Sequence, residues 1–444
     1  MTITPRTLKG FRDFLPAAMI PRERLIETAR NVYRSYGFVP IDTPALEYEE
    51  ILLGKGSEET DRQIYRFADQ GGRRVAMRFD LTVPLARFVA QHIQQLGKPF
   101  KRYHIGPVWR GENTHRGRYR EFYQCDFDTI GTQSIAADIE IVLVIHDLLR
   151  AIGVERFTIR INNRKVLNGL LSKLGLASAS VPVLRALDKL TKTDRDRVAQ
   201  EMMSAAGASA QQADQVLALA DLNGDRDSVV SSLQEIVHGS EVGQQGVAEL
   251  QQVLAGSLAA GVDSEHLQLD VSIARGLDYY TGTIVETFLD SLPEIGSICS
   301  GGRYDNLAEL YTKEHLPGIG ASLGLDRLLA ALQELKLIDT VATTAAVFIP
   351  YFDASELNSY LKIASWVRQA GYGVEVYPEP KKLGQQLSYA ADRGFQIALI
   401  AGRQELDNGK CQIKNLKTRH SLEVATGPNG AGIVQTVREI LARD

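Results

Sequence analysis

The densest chemistry in this sequence lies at 103–131, YHIGPVWRGENTHRGRYREFYQCDFDTIG. Here Arg110, Arg116, Arg118 and Arg120 are interleaved with Glu112, Phe122, Gln124, Asp126 and Asp128. Side chains alternate faces along a strand. Val108, Arg110 and Glu112 should therefore share one face, and Arg118, Arg120, Phe122, Gln124, Asp126 and Asp128 should share another. If the two faces lie on the same side of a sheet, they suit three tasks: arginines for a polyphosphate, a flat aromatic for a planar base, a carboxylate for an amine. The competing reading is an exposed strand whose cross-strand ion pairs each contribute ~0.2–1 kcal/mol. The loop 113–117, NTHRG, is polar, basic and closed by glycine, which suits contact with something outside the domain. His104 and His115 have no second His or Cys at ligand spacing, so no metal-binding cluster of the protein's own is expected.

Two further stretches carry charges that need partners. In IARGLDYYTGT (273–283), Arg275 cannot shed its proton and so requires an anion. Asp278 is a poor choice, because residues three apart in a strand point to opposite faces unless Gly276 bends the chain. In GIGASLGLDRLLAAL (318–332), a strand passes into a helix, and Gly318, Gly320 and Gly324 let backbones or a ligand approach closely. Asp326 falls in the first helical turn, where the dipole favours an anion. Arg327 beside it is out of place unless it points at an anionic or flat ligand. The glycine spacing is not that of a dinucleotide fingerprint.

These residues need a scaffold, and the rest of the sequence outlines one. The chain has 444 residues, enough for about three domains. Its net charge of −4 does not mark it as a nucleic-acid binder, so any such role must come from local patches. Three scattered cysteines fit a reducing compartment. The N-terminus has no apolar signal core, and no apolar run approaches the ~20 residues of a membrane span. A cytoplasmic protein is expected.

Residues 21–36 have helical periodicity and end at Gly37, and FVPIDTP (38–44) continues extended. Residues 73–83 read as a strand running into a helix that starts near Thr82–Pro84. Residues 100–131 read as two strands joined by NTHRG, with a long helix after them. From 165 to 262 the sequence turns rich in Ala, Gln and Ser, with helical periodicity and no strand signal, as expected of a helical insertion. Strands resume at 267–290. The small, polar stretch 336–344 reads as a linker. Residues 345–444 alternate strand and helix, which predicts an α/β domain with a largely parallel sheet.

The order of these signals resembles the three signature motifs of class II aminoacyl-tRNA synthetases: helix–strand–Pro at 21–44, Arg-x-Glu with a downstream Phe at 110–122, and a Gly-rich strand into a helix with Arg at 318–327. MRFDLTVPLAR (77–87), ARGLDYYTG (274–282) and RGRYREFYQCDFD (116–128) are similar to segments of the histidyl-tRNA synthetases. The resemblance covers the whole chain. It implies an α+β catalytic core at 1–164 and 263–335, a mainly antiparallel sheet flanked by helices. It also implies a helical insertion domain at 165–262, a linker at 336–344 and a C-terminal α/β anticodon-binding domain at 345–444.

The same resemblance implies an ATP-dependent ligase that joins L-histidine to the histidine tRNA, with Mg2+ accompanying ATP. Catalysis would consist of positioning and charge neutralisation, with no nucleophilic side chain. Arg110 and Arg275 would hold the α-phosphate from opposite sides. Arg118 and Arg327 would hold the outer phosphates, and Phe122 would stack on adenine. Glu112 would contact the adenine edge or the metal. Asp80, Thr82, Gln124 and Asp128 would surround the α-amino group, and Tyr279 and Tyr280 would face the imidazole. Asp80 and Asp128 stand where some bacterial members carry glutamate, which keeps the charge and changes the reach. Arg116 and Arg120 are candidates for contact with the tRNA acceptor end. The family also implies a homodimer built on the first motif. A silent regulatory paralogue and a tRNA-sensing module of the kind fused to a kinase are the other readings; the presence of 345–444 and of Arg110, Arg275 and Arg327 speaks against the first, and the lack of a kinase-like signature against the second.

Overall fold

A computed structural model describes residues 2–53, 58–187, 189–190, 193–222, 224–273, 279–338 and 342–442. Arg275 and Asp278 lie outside the described residues. The chain packs as two compact units, one of residues 1–12 and 24–337, the other of residues 13–23 and 338–444. Its strands are β1 (Val39–Pro40), β2 (Leu46–Tyr48), β3 (Arg66–Ala68), β4 (Arg74–Met77), β5 (Phe100–Trp109), β6 (Glu121–Ile130), β7 (Phe157–Asn163), β8 (Leu267–Leu269), β9 (Thr283–Leu289), β10 (Cys299–Arg303), β11 (Gly318–Gly324), β12 (Val347–Ile349), β13 (Val374–Val376), β14 (Ile397–Ile400), β15 (Lys410–Asn415) and β16 (Ser421–Ala425).

The larger unit is built on an eight-stranded sheet in the order β1-β5-β6-β11-β10-β9-β7-β8. Every pairing is antiparallel except the two edges, β1 with β5 and β7 with β8. Period-two alternation gives the sheet two different faces. On one face Tyr103, Cys125 and Phe127 meet Tyr33 of the first helix, whose ring stands 4.9 Å from that of Phe127. The helix Ile135–Ile152 also lies on this side, capped at its start by Ser134 and closed by Gly153 in the left-handed conformation. The opposite face carries Arg102, His104, Phe122, Gln124, Asp126 and Asp128, which the register sets beside Gly320, Ser322 and Gly324 of β11. The helix Thr82–Leu96 covers one end of that face through Leu85, Val89 and Ile93, which pack with Phe100 and Tyr304.

Among the described residues, the stretch from Arg164 to Ala259 holds helices and no strand. Five of its helices start at residues of the type that caps best: Asn163, Asp194, Ser209, Asp225 and Ser240 each accept a backbone N–H of the first turn.

The smaller unit corrects one expectation. Its five-stranded sheet, β13-β12-β14-β15-β16, is half parallel and half antiparallel. The connections decide this. A parallel pair needs a crossover of a dozen or more residues, and the links from β14 to β15 and from β15 to β16 are too short. No described helix is long and apolar enough to cross a membrane.

Candidate active site

The hairpin that carries most of the candidate residues is shorter than its alternation suggested. β5 ends at Trp109 and β6 begins at Glu121, so Arg110, Glu112, Arg118 and Arg120 sit on the connecting loop and not on strand faces. The backbone leaves the ladder at Gly111, whose N–H turns to the Gln63 carbonyl at 2.7 Å. A tight turn then closes at 115–118, where His115 and Arg118 exchange backbone hydrogen bonds. The strand alternation ends there, yet the folded loop still returns Arg118 to the same cleft as Arg110.

That cleft, about 150 Å3 in volume, lies between the loop, β6, β10 and the start of the helix Leu325–Glu334. Arg110, Arg118 and Arg327 converge on it, with Phe122 and Gly324 in its walls. The Arg110 Nε donates to the Phe79 carbonyl at 2.8 Å, and its guanidinium carbon stands 5.1 Å from the centroid of the Phe122 ring. Arg118 Nε lies 2.6 Å from Oε2 of the buried Glu112. Arg327 donates to the Ser297 carbonyl. Burial, with the neighbouring Arg118, lowers the pKa of Arg327 below the usual guanidinium range. Asp326 does not offset these cations, because Arg12 and the Tyr123 N–H (2.7 Å) already occupy its carboxylate. Three guanidiniums thus face one cleft whose acidic lining residues, Glu112 and Asp326, are already paired with Arg118 and Arg12. The cleft is built for an anion with a flat group attached.

Of the three glycines, two serve protein contacts. A Cβ at Gly318 would lie 2.4 Å from the Tyr304 ring, and one at Gly320 would lie 2.0 Å from Asp128 Oδ1. At Gly324 the nearest atom would be 3.7 Å away, and this glycine lines the cleft.

Next to the cleft, on the same sheet face, lies an acidic floor. Asp80, Asp126 and Asp128 are all buried. Asp80 accepts the Val83 N–H at 3.0 Å at the start of its helix, while its Oδ2 has no hydrogen-bond partner among the described residues. Burial pushes its pKa up to about 6, against the pull of the Val83 N–H and Arg110. Burial likewise pushes Asp126 up to about 7, with Arg102 opposing. Asp128 accepts the hydroxyl of Tyr304, and Arg102 Nη2 stands 2.7 Å from its Oδ2. Gln124 donates to Ser322 Oγ at 2.8 Å, and its own buried Oε1 has no hydrogen-bond partner among the described residues. Tyr279 and Tyr280 stand edge to face at 5.3 Å, and Tyr279 meets Tyr304 at 5.9 Å. The Tyr279 phenol faces Asp80 and Thr82. Three carboxylates and three phenols around unfilled acceptors make a pocket for a small cation with N–H groups.

The structure therefore brings Asp80, Thr82, Arg110, Glu112, Arg118, Phe122, Gln124, Asp128, Tyr279, Tyr280 and Arg327 to one face. Arg116 and Arg120 stand apart from it. Arg116 is exposed and pairs with Glu334, whereas Arg120 is tied to the Glu112 carbonyl at 3.2 Å and packs on Gly10. Sequence reasoning missed Arg102, Asp126 as a pocket group, and Tyr304. The alternation places Asp126 beside Asp128, but a charged Arg102 facing inward needed the β5–β6 register to be seen.

Residues 10–328 match the histidyl-tRNA synthetase family, and residues 346–427 match an anticodon-binding domain. A histidine–tRNA ligase of Rhodopirellula baltica is 64% identical over 423 residues, covering 95% of this chain and 96% of that protein. The crystal structure of a histidyl-tRNA synthetase from a Nostoc species superposes with a TM-score of 0.89 at 34% identity, over 100% of both chains. A Bacillus halodurans structure described as an ATP phosphoribosyltransferase regulatory subunit/histidyl-tRNA synthetase shares the fold, with a TM-score of 0.74 at 22% identity, over 90% of this chain and 100% of that one.

Proposed function

The chain belongs to the histidyl-tRNA synthetase family, and from that premise we propose that it is a histidine–tRNA ligase that activates L-histidine with ATP. The observation that carries the site assignment is the convergence of Arg110, Arg118 and Arg327 on one cleft beside an acidic floor. A polyphosphate supplies the missing negative charge, and the floor takes the histidine ammonium.

A histidine carboxylate oxygen attacks the α-phosphorus of ATP in line. The bond from that phosphorus to the bridging oxygen breaks, and pyrophosphate leaves. A ribose hydroxyl at the 3′ end of the tRNA then attacks the histidyl carbonyl carbon, and AMP leaves. The protein orients the reactants and neutralises charge as it moves to the departing phosphates. Arg110 and Arg275 flank the α-phosphate; Arg118 and Arg327 take the outer ones. Phe122 stacks on the adenine. Asp80, Thr82, Gln124 and Asp128 hold the amino group, and Tyr279 and Tyr280 select the imidazole. Mg2+ accompanying ATP would add charge neutralisation, and Glu112, which pairs with Arg118, would be the carboxylate at the cleft able to contribute an oxygen to it.

The smaller unit carries Arg403, Lys410, Lys414, Lys417 and Arg419 and would read the unpaired anticodon loop of the histidine tRNA. Exposed apolar side chains at Val39, Leu46, Tyr48 and Phe67 support a homodimer. Three buried free cysteines suit the cytoplasm. The test is histidine-dependent exchange of labelled pyrophosphate into ATP. Exchange with histidine and not with other amino acids is expected; well-folded protein that shows none overturns the assignment.

A further inference from the structure

We propose that Arg102 is a positioning residue of the amino-acid pocket: it is the fixed cation that opposes protonation of Asp128 and aims its carboxylate, and it sets the affinity for histidine through that group. The proposal rests on the ligase reading given above.

Arg102 is fully buried at 0% exposure. It lies directly across the β5–β6 ladder from Asp128. Its Nη2 stands 2.7 Å from Asp128 Oδ2, 4.0 Å from Asp126 Oδ2 and 3.3 Å from the Leu81 carbonyl. Its Nε and Nη1 have no hydrogen-bond partner among the described residues. A buried guanidinium with two nitrogens unpaired among the described residues is a poor stabilising device, since well-packed apolar residues would stabilise the fold at least as well. Its use lies in what it does to its neighbours.

The groups facing it come from every surrounding element. Asp126 and Asp128 face it from β6, and Asp80 and the Leu81 carbonyl from the turn before the helix Thr82–Leu96. Tyr304 faces it from the end of β10, and His104 from its own strand. Among the described residues, Arg102 is the cation in ion-pair contact with Asp126 and Asp128. His104 does not share that task, because burial and the guanidiniums of Arg102 and Arg78 hold it neutral. Tyr304 fixes the other oxygen of Asp128. Burial raises the pKa of Asp128, while Arg102 and the Tyr304 hydrogen bond oppose the rise; losing Arg102 shifts the balance further toward the protonated form, which receives an ammonium or an imidazole N–H poorly.

The experiment compares Arg102→Gln and Arg102→Lys with the wild-type full-length chain, using histidine-dependent pyrophosphate exchange from pH 5.5 to 9. The substrate's own titrations cancel in the ratio of variant to wild-type kcat/KM. For Arg102→Gln the KM for histidine is expected to rise at least ~10-fold with the KM for ATP little changed, and the ratio to fall as pH falls, because an Asp losing an Arg partner rises by ~1–3 pH units. Arg102→Lys should restore most of the affinity and flatten the ratio. A folded Arg102→Gln protein whose ratio is independent of pH, or whose histidine KM is unchanged, overturns the proposal. Should that variant fail to fold, Arg102→Gln/Asp126→Asn removes one buried carboxylate with the cation. It must still show the falling ratio, and a flat one counts against the proposal in the same way. A wild type with no exchange overturns the ligase reading itself; an active wild type with a flat ratio overturns the role of Arg102 alone.

Discussion

Arg118 Nε stands 2.6 Å from Glu112 Oε2, with the carboxylate buried and the guanidinium at the lip of the cleft. The pair holds a long, flexible side chain in place before any phosphate arrives. An arginine carries ~2 kcal/mol of rotamer entropy, and the ion pair removes part of it in advance. Glu112→Ala should therefore raise the KM for ATP about 5- to 30-fold, the equivalent of ~1–2 kcal/mol. A double-mutant cycle with Arg118→Ala separates this effect from any direct contact between Glu112 and the nucleotide. The double variant should resemble Arg118→Ala alone, and strictly additive effects would show that the pair is idle.

The glycines of β11 differ in what they protect. A Cβ at Gly320 would fall 2.0 Å from Asp128 Oδ1, whereas one at Gly324 would meet nothing closer than 3.7 Å. Gly320→Ala should displace Asp128, weaken histidine binding by tenfold or more and lower stability by ~1–3 kcal/mol as an overpacked site. Gly324→Ala should leave the melting temperature nearly unchanged and raise the KM for ATP, since its methyl enters the cleft. Calorimetric titration with histidine and steady-state kinetics with ATP check both arms; the opposite pairing of effects would invert the assignment of the two halves.

The buried acidic floor should be visible in stability as a function of pH. Burial raises Asp126 to about 7, against ~3.9 in an unfolded chain. The native state therefore keeps this proton where the unfolded state has lost it, and stability falls as pH rises from about 4 through 7. Asn cannot titrate. Asp126→Asn should thus gain at least ~1 kcal/mol relative to wild type on going from pH 5 to pH 8. Thermal melts at the two pH values measure the change. The same offset at both would mean that Asp126 is ionised throughout.

How far the sequence reveals this site depends on which physical rule governs each residue. Asp326 and Arg327 were legible because a strand–glycine–helix junction is a local pattern, and an arginine in a first helical turn violates a local rule. Phe122, Gln124 and Asp128 were legible because all three belong to one continuous strand. The same alternation failed at Arg110, Glu112, Arg118 and Arg120, where Gly111 leaves the ladder for the Gln63 carbonyl. The mixed sheet of the smaller unit was legible in principle from connection lengths, whereas strand–helix alternation alone suggested parallel pairing. Arg102 was not legible, since its partner lies 26 residues away across a register that only the fold sets. The family resemblance supplied the roles of the residues, and the geometry supplied their neighbours.

The two arginines beside the hairpin turn should separate tRNA recognition from folding. Arg116 is exposed, with 60% of its side chain accessible, and that side chain pairs with Glu334 on the surface, an ion pair of a kind that contributes little to stability. Arg120 donates to the Glu112 carbonyl at 3.2 Å, and its backbone N–H bonds the Gly10 carbonyl at 2.9 Å. Its aliphatic stem fills the space beside Gly10, where a Cβ would come within 2.7 Å of it. Arg116→Ala should therefore keep full pyrophosphate exchange and wild-type melting, while the KM for tRNA in aminoacylation rises and its salt dependence weakens by about one phosphate contact. Arg120→Ala should instead lower stability by ~1–2 kcal/mol through lost packing and a lost hydrogen bond. It should slow exchange and aminoacylation together, because the segment that it anchors carries Glu112 and Arg118. If Arg120→Ala alone impaired tRNA charging with exchange intact, the roles of the two arginines would be reversed, and the acceptor end would approach the loop from the Gly10 side.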